Sequence, residues 1–125
     1  MMTVRGIRGA TVAPTNTREA ILEATRELLL RLVEANDARP EDFASIYFTV
    51  TPDLDAAFPA AAARTLGWTD LAMLDAQAPG VAHDPPRCIR VLVHWNTEYA
   101  PAEIRHVYLH EATELRPDLA RIPRA

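Results

Sequence analysis

Arginine recurs in this sequence where dry strands are expected. Arg90 interrupts the apolar run from Ile89 to Val93, Arg8 lies between Ile7 and Gly9, and Arg105 and Tyr108 bracket His106 and Val107. Arg64 sits in an alanine-rich stretch, and Arg116 follows two residues after Glu114. A guanidinium is always charged, and taking it out of water is costly unless an anion meets it. That anion can be a neighbouring Asp or Glu, or it can be a ligand. For any one of these arginines, a surface position or an internal salt bridge is a sufficient account. Several together, with a tyrosine and without matching strand carboxylates, favour a pocket for a small polyanion. Arginine forks bind carboxylates with paired hydrogen bonds, and a tyrosine hydroxyl adds a neutral donor. Asp75 is the one carboxylate expected on a central strand.

Other chemistries find less support. His106 and His110 are four apart, but they lie in a strand-to-turn region without a carboxylate cluster, so they read as solvated or core-edge histidines and not as metal ligands. Cys88 neighbours Arg90 on the same strand, yet nothing marks a base or an oxyanion hole beside it. A buried, inert thiol is the expectation. "RGIRGAT" has two glycines but not the spacing of a phosphate loop.

The elements that must position these residues follow from periodicity and punctuation. Residues 3–12 alternate and are rich in β-branched types, giving a first strand that Pro14 ends. Ile21, Leu22, Thr25, Leu28, Leu29, Leu32 and Val33 recur at helical spacing, so residues 17–35 form a long amphipathic helix. Asn16 with Glu19 resembles a capping box at its start. Residues 44–51 read as a second strand, 59–67 as a short helix ending at Gly67, and 70–76 as a third strand. The Gly, Pro and Asp content of residues 77–86 marks a loop before a fourth strand at 87–95. "PAEI" makes one helical turn, residues 105–110 a fifth strand, and "EATEL" a last turn stopped by Pro117. The fold class is therefore α/β or α+β: a mixed five-stranded sheet with one long and one short helix. So few helices cannot cover both faces of such a sheet, which favours an oligomer that buries the other face.

Composition narrows the function further. The 125 residues suit a single domain spanning 1–125, and a net charge of −4 without a basic run argues against nucleic acid. One cysteine cannot form an internal disulfide, which points to a reducing compartment. No apolar stretch approaches a signal core or a membrane span, so the expectation is a soluble cytoplasmic protein.

The motifs "RGIRGAT", "TPDLDAAFPA", "CIRV", "IRHVYL" and "LRPDL" occur in this order from about residue 4 to residue 120. In sequence and spacing they resemble the AroH-type chorismate mutases. The resemblance implies a homotrimeric pseudo-barrel with active sites at subunit interfaces. It implies conversion of chorismate to prephenate by a pericyclic [3,3] shift in aromatic amino acid biosynthesis, without nucleophile, metal or cofactor. Carried over by position, Arg8 and Tyr108 would hold a side-chain carboxylate of chorismate. Arg90 would face the ether oxygen, which gains negative charge as its bond breaks. Phe58 and Ala60 would line the pocket, and Arg64 and Arg116 would stand near its mouth with "LRPDL" as a cover. The resemblance also suggests that Arg8 and Arg90 reach each site from different chains.

Two positions depart from that pattern. Ala61 stands where the family often has lysine, and Ala78 where it has a glutamate that accepts a hydrogen bond from the ring hydroxyl. Asp75, three residues before Ala78, is the expected replacement, held ionised by Arg8 and Arg90. The alternatives are a different trimeric enzyme with an interface arginine, such as an imine deaminase, or a non-catalytic anion-binding relative.

Overall fold

Thr17 sets where the long helix begins. Its side chain accepts the Ala20 N–H at 3.2 Å, a direct N-cap. Asn16 is not part of a capping box. It reaches across to the 55–56 loop instead, donating to Asp55 Oδ1 at 2.7 Å and accepting the Asp55 and Ala56 N–H groups at 3.1 Å each. The computed structural model describes residues 2–120. Its elements are β1 (Thr3–Val12), α1 (Arg18–Asn36), β2 (Phe43–Val50), α2 (Ala60–Thr65), β3 (Ala72–Gln77), β4 (Cys88–Thr97), β5 (Val107–Tyr108) and α3 (Pro117–Ala120). Short 3-10 turns fall at Pro40–Asp42, Pro101–Glu103 and His110–Glu114.

The strands form one mixed sheet in the order β3-β2-β4-β1-β5. β4 runs antiparallel to both of its neighbours, while β3 and β5 lie parallel to theirs. Alternation along β4 explains its central place. Ile89, Val91, Val93 and Trp95 are buried, and Arg90, Leu92, His94 and Asn96 between them are half-buried on the other face. Leu28, Leu29 and Leu32 of α1 join Ile7, Phe48, Val91 and Val93 in the main core. Each such burial stabilises by about 1.5–3 kcal/mol. Gly9 lets this packing close: a Cβ there would meet Val107 O at 3.0 Å, Val91 Cγ1 at 3.1 Å and Leu28 Cδ1 at 3.2 Å.

Among the described residues, the opposite face has no such cover. Tyr47 pairs in register with Leu74 on β3 and Leu92 on β4, and Leu92 pairs with Arg8 on β1. Directly paired residues share a face, so these four side chains form one row. Tyr47 and Leu74 in that row are exposed, as is Val4 at the start of β1.

Two expectations shift at the C-terminal end. The fifth strand is only two residues long, because the Asn36 side chain takes the Arg105 N–H at 2.8 Å and donates to the Arg105 carbonyl at 2.9 Å. That clamp replaces ladder bonds with a tie to the end of α1. Pro117, expected only to stop a helix, opens the short helix α3, where its fixed φ is tolerated.

Candidate functional site

β1 and β4 are paired neighbours, with Ala10 opposite Arg90 and Arg8 opposite Leu92. This register brings Arg8 and Arg90 to one face, and β5 adds Tyr108 from the other side of β1. A cavity of about 110 Å³ results, lined by Arg8, Arg90, Tyr108, Leu115 and Arg116 together with the backbone around Gly9 and Ala10. Four of the expected residues thus meet within a single chain. The expectation that Arg8 and Arg90 come from different chains is corrected by the same register: they sit on adjacent strands of one sheet. Arg105 is outside this lining.

The electrostatics keep the hydrogen-bonding groups Tyr108 and His106 neutral. Tyr108 is buried, and burial pushes its hydroxyl above the usual range, against the opposing pull of Arg8, Arg116 and Arg90. The hydroxyl therefore stays protonated, with a proton it can donate. His106 lies beside the cavity, where its Nδ1 accepts the Arg8 N–H at 2.9 Å. Burial, helped by the charges on Arg8 and Arg116, lowers its pKa, so the ring stays neutral and ties β1 to the segment leading into β5. His110 turns the other way, with Nε2 3.0 Å from Glu27 Oε1. Cys88 is a buried free thiol whose pKa burial raises, outweighing the hydrogen bond and charge of Arg90. It is placed as the inert thiol that the sequence suggested.

Arg90 has a protein partner. Its Nη2 lies 3.1 Å from Asp84 Oδ2, with side-chain exposures of 35 % and 23 %. A pair this accessible is worth about 0–1 kcal/mol. Asp84 was not singled out from the sequence, where it looks like one more polar residue in a Pro-rich loop. Its signal was its position six residues before Arg90, on a loop that must return to the start of β4.

The remaining expected residues gather elsewhere. A wide cavity of about 790 Å³ is lined by Phe58, Ala61, Arg64, Asp75 and Gln77 together with Arg18 and the 54–57 loop. Phe58 is 68 % exposed, unusual for an aromatic side chain of this size. Ala60 does not line it. It is 2 % exposed and offers its backbone N–H to Asp75 Oδ1 at 3.0 Å, while Ala61 faces the cavity. The Asp75 pKa is raised, because burial outweighs both that hydrogen bond and the charge of Arg64. Arg8 and Arg90, expected to hold this carboxylate ionised, line the other cavity of the same chain. Ala78 is buried, with its N–H on Val50 O at 2.8 Å.

A mixed-sheet α/β chain that gathers arginines and a tyrosine around a cavity, and keeps its thiol buried, is equipped to grip and orient a polyanion. The comparisons with known proteins sharpen that class. Residues 4–119 match the family described as chorismate mutase type I. The AroH chorismate mutase of Thermus thermophilus is 52 % identical over 117 residues, covering 93 % of this chain and 96 % of the relative. That of Bacillus subtilis strain 168 is 42 % identical over 120 residues, covering 95 % and 94 %. A solved chorismate mutase from Clostridium thermocellum superposes with a TM-score of 0.86 at 44 % identity, covering 88 % of this chain and 98 % of that one. The chain belongs to the type I chorismate mutase family. It is an isomerase of that class, and the imine deaminase alternative falls.

Proposed function

We propose that this chorismate mutase converts chorismate to prephenate at sites completed between neighbouring subunits of a homotrimer, as a cytoplasmic enzyme of aromatic amino acid biosynthesis. The observation that carries the reading is the gathering of Arg8, Arg90, Tyr108 and Arg116 around one cavity too small to work alone. Its volume of about 110 Å³ falls below the roughly 300–1,000 Å³ of ordinary ligand pockets. The same chain displays the complementary half, an open wall bearing Phe58, Arg64 and Asp75. A cyclic oligomer brings one half against the other, and the bare sheet face with Val4, Tyr47 and Leu74 gives the subunits apolar surface to bury.

In this site the protein performs no covalent step. Chorismate carries two carboxylates, an ether oxygen and a ring hydroxyl. Arg8 and neutral Tyr108 hold the side-chain carboxylate, folding the flexible arm over the ring and removing its freedom before reaction. The ether bond breaks as the new carbon–carbon bond forms, and negative charge collects on the ether oxygen. The Arg90 guanidinium meets that charge, so its contact strengthens in the transition state. Phe58 and Ala61 of the neighbouring subunit form the apolar wall, Arg64 adds charge at the rim, and Arg116 covers the basic side.

Asp75 serves as acceptor for the ring hydroxyl, in place of the glutamate absent at Ala78. Oδ1 is occupied by the Ala60 N–H, which leaves Oδ2 for the substrate. The neighbour's basic half, closing over Asp75, opposes the burial that raises its pKa. Loss of chorismate followed spectrophotometrically, with prephenate identified as product, tests the activity. Asp75→Asn tests the acceptor, because Oδ1 can still accept from Ala60 while an NH₂ replaces the free oxygen. We expect a loss on the order of 10²-fold in kcat/KM, the scale of a missing charged hydrogen-bond partner. A silent Asp75→Asn moves the acceptor elsewhere, to Gln77 on the same wall.

A further inference from the structure

The loop between β3 and β4 is bent with unusual effort to bring one side chain to Arg90. His83 and Arg87 flank Asp84 in left-handed backbone, at φ 75° and φ 51°, conformations that non-glycine residues rarely adopt. Pro85 and Pro86 stiffen the path between them. The far end of the loop is pinned on three sides. Arg87 donates its N–H to Asp53 Oδ2 at 2.9 Å and its Nε to the Ala13 carbonyl at 2.9 Å, and Ala13 N–H returns a bond to the Arg87 carbonyl at 2.8 Å. The Cys88 N–H closes on Thr51 Oγ1 at 2.9 Å. Strain of this kind persists only when the surroundings impose it, and what it delivers is the Asp84 carboxylate, 3.1 Å from Arg90 Nη2.

The weakness of a half-exposed ion pair makes stability a poor reason for that construction. The geometry of the contact suggests another. Asp84 takes one terminal nitrogen of a guanidinium that carries five N–H donors in a rigid fork. Another donor meets the Cys88 thiol, and the guanidinium borders the cavity that Arg8 and Tyr108 also line. A carboxylate beside a pocket for a dianion weakens substrate attraction, so its presence there calls for a compensating benefit. We propose that Asp84 is a positioning residue for this reaction: it fixes the plane of the Arg90 guanidinium so that the free edge faces the ether oxygen. This rests on the chorismate mutase reading above and adds to it a residue outside the expected set.

The test uses the full-length wild-type enzyme, Asp84→Ala, Asp84→Asn and Asp84→Glu, each also in an Arg90→Lys background. Asp84→Ala and Asp84→Asn lower kcat roughly 10- to 100-fold, the scale of misplacing a catalytic group by about an ångström. KM stays level or falls, because a repulsive charge has gone. Asp84→Glu recovers part of the loss. In Arg90→Lys, which has no planar fork to orient, removing Asp84 changes kcat less than about twofold. Retained kcat with a lower KM would overturn the proposal and make Asp84 a competitor for Arg90. Equal losses in both backgrounds would overturn it too, showing that Asp84 only supports the loop. The Arg90 guanidinium proton signal gives a readout independent of turnover. It is sharp and protected in the wild type, and broadened in Asp84→Asn if Asp84 holds it. A wild type that makes no prephenate would sink the functional reading alone, and the guanidinium signal would still decide the positioning role.

Discussion

At the scale of single residues, Arg90 carries the most consequence. It stands half-buried on the central strand, with one nitrogen on Asp84 and the buried Cys88 thiol beside it. Burying a fixed charge in a strand opposes folding, and the proposed role in the transition state would give a physical reason to keep it. Arg90→Ala should fold, as a half-exposed side chain whose loss leaves only Asp84 to be solvated. Its kcat should fall by more than the roughly 10²–10³-fold typical of deleting one oxyanion donor, with a smaller change in KM. Arg90→Lys should recover little, since an ammonium lacks the planar fork. Wild-type turnover in Arg90→Ala, measured under saturating chorismate, would remove Arg90 from the chemistry.

At the scale of elements, the C-terminal segment closes the basic cavity. Leu115 and Arg116 line it, and Arg116 holds Asp118 of α3 through Nε at 3.2 Å and Nη2 at 2.9 Å. This segment touches the site at its edge, beside Tyr108, and not at the β1–β4 register that sets Arg8 and Arg90. On the proposed reading its contribution is mostly uniform binding, equal in ground and transition states. Truncation after Leu115 should raise KM by more than it lowers kcat, read from full saturation curves of the truncated and intact chains. A loss confined to kcat would instead place Arg116 among the groups that meet developing charge.

At the scale of the whole molecule, each chain carries two separate cavities, which the proposed function reads as halves of a shared site. The basic half has Arg8, Arg90 and Tyr108, and the other has Phe58, Arg64 and Asp75. Subunits defective in opposite halves should therefore complement. When Arg90→Ala and Asp75→Asn chains are mixed equimolar and allowed to exchange, roughly a quarter of the interfaces pair two intact halves. The mixture should regain about that fraction of wild-type activity. Arg8→Ala mixed with Arg90→Ala should regain none, because both lesions fall in the same half. Free exchange without recovery in the first mixture would mean that each chain works alone, as would a monomeric mass by light scattering for the active enzyme.

The periodicity of Ile21 to Val33 was enough to place α1, and the alternation of residues 3–12 gave β1 to the residue, because both patterns record which face of an element leaves water. The motif order "RGIRGAT" to "LRPDL" likewise carried the family and the reaction. Pairing was beyond the reach of that reading. Nothing local in the chain says that β4 lies between β1 and β2, and only that order puts Arg8 and Arg90 on adjacent strands of one subunit. Nor could spacing show that Asn36 would cap the Arg105 peptide and shorten β5, or that Ala60 would turn inward to bind Asp75. Asp84 is the clearest case. Its role depends on a loop path set by left-handed backbone at His83 and Arg87 and by anchors on Asp53 and Ala13, residues distant in sequence. Local patterns fix what a segment prefers to become. Which charges meet is decided by long-range contacts, and those exist only once the sheet has formed.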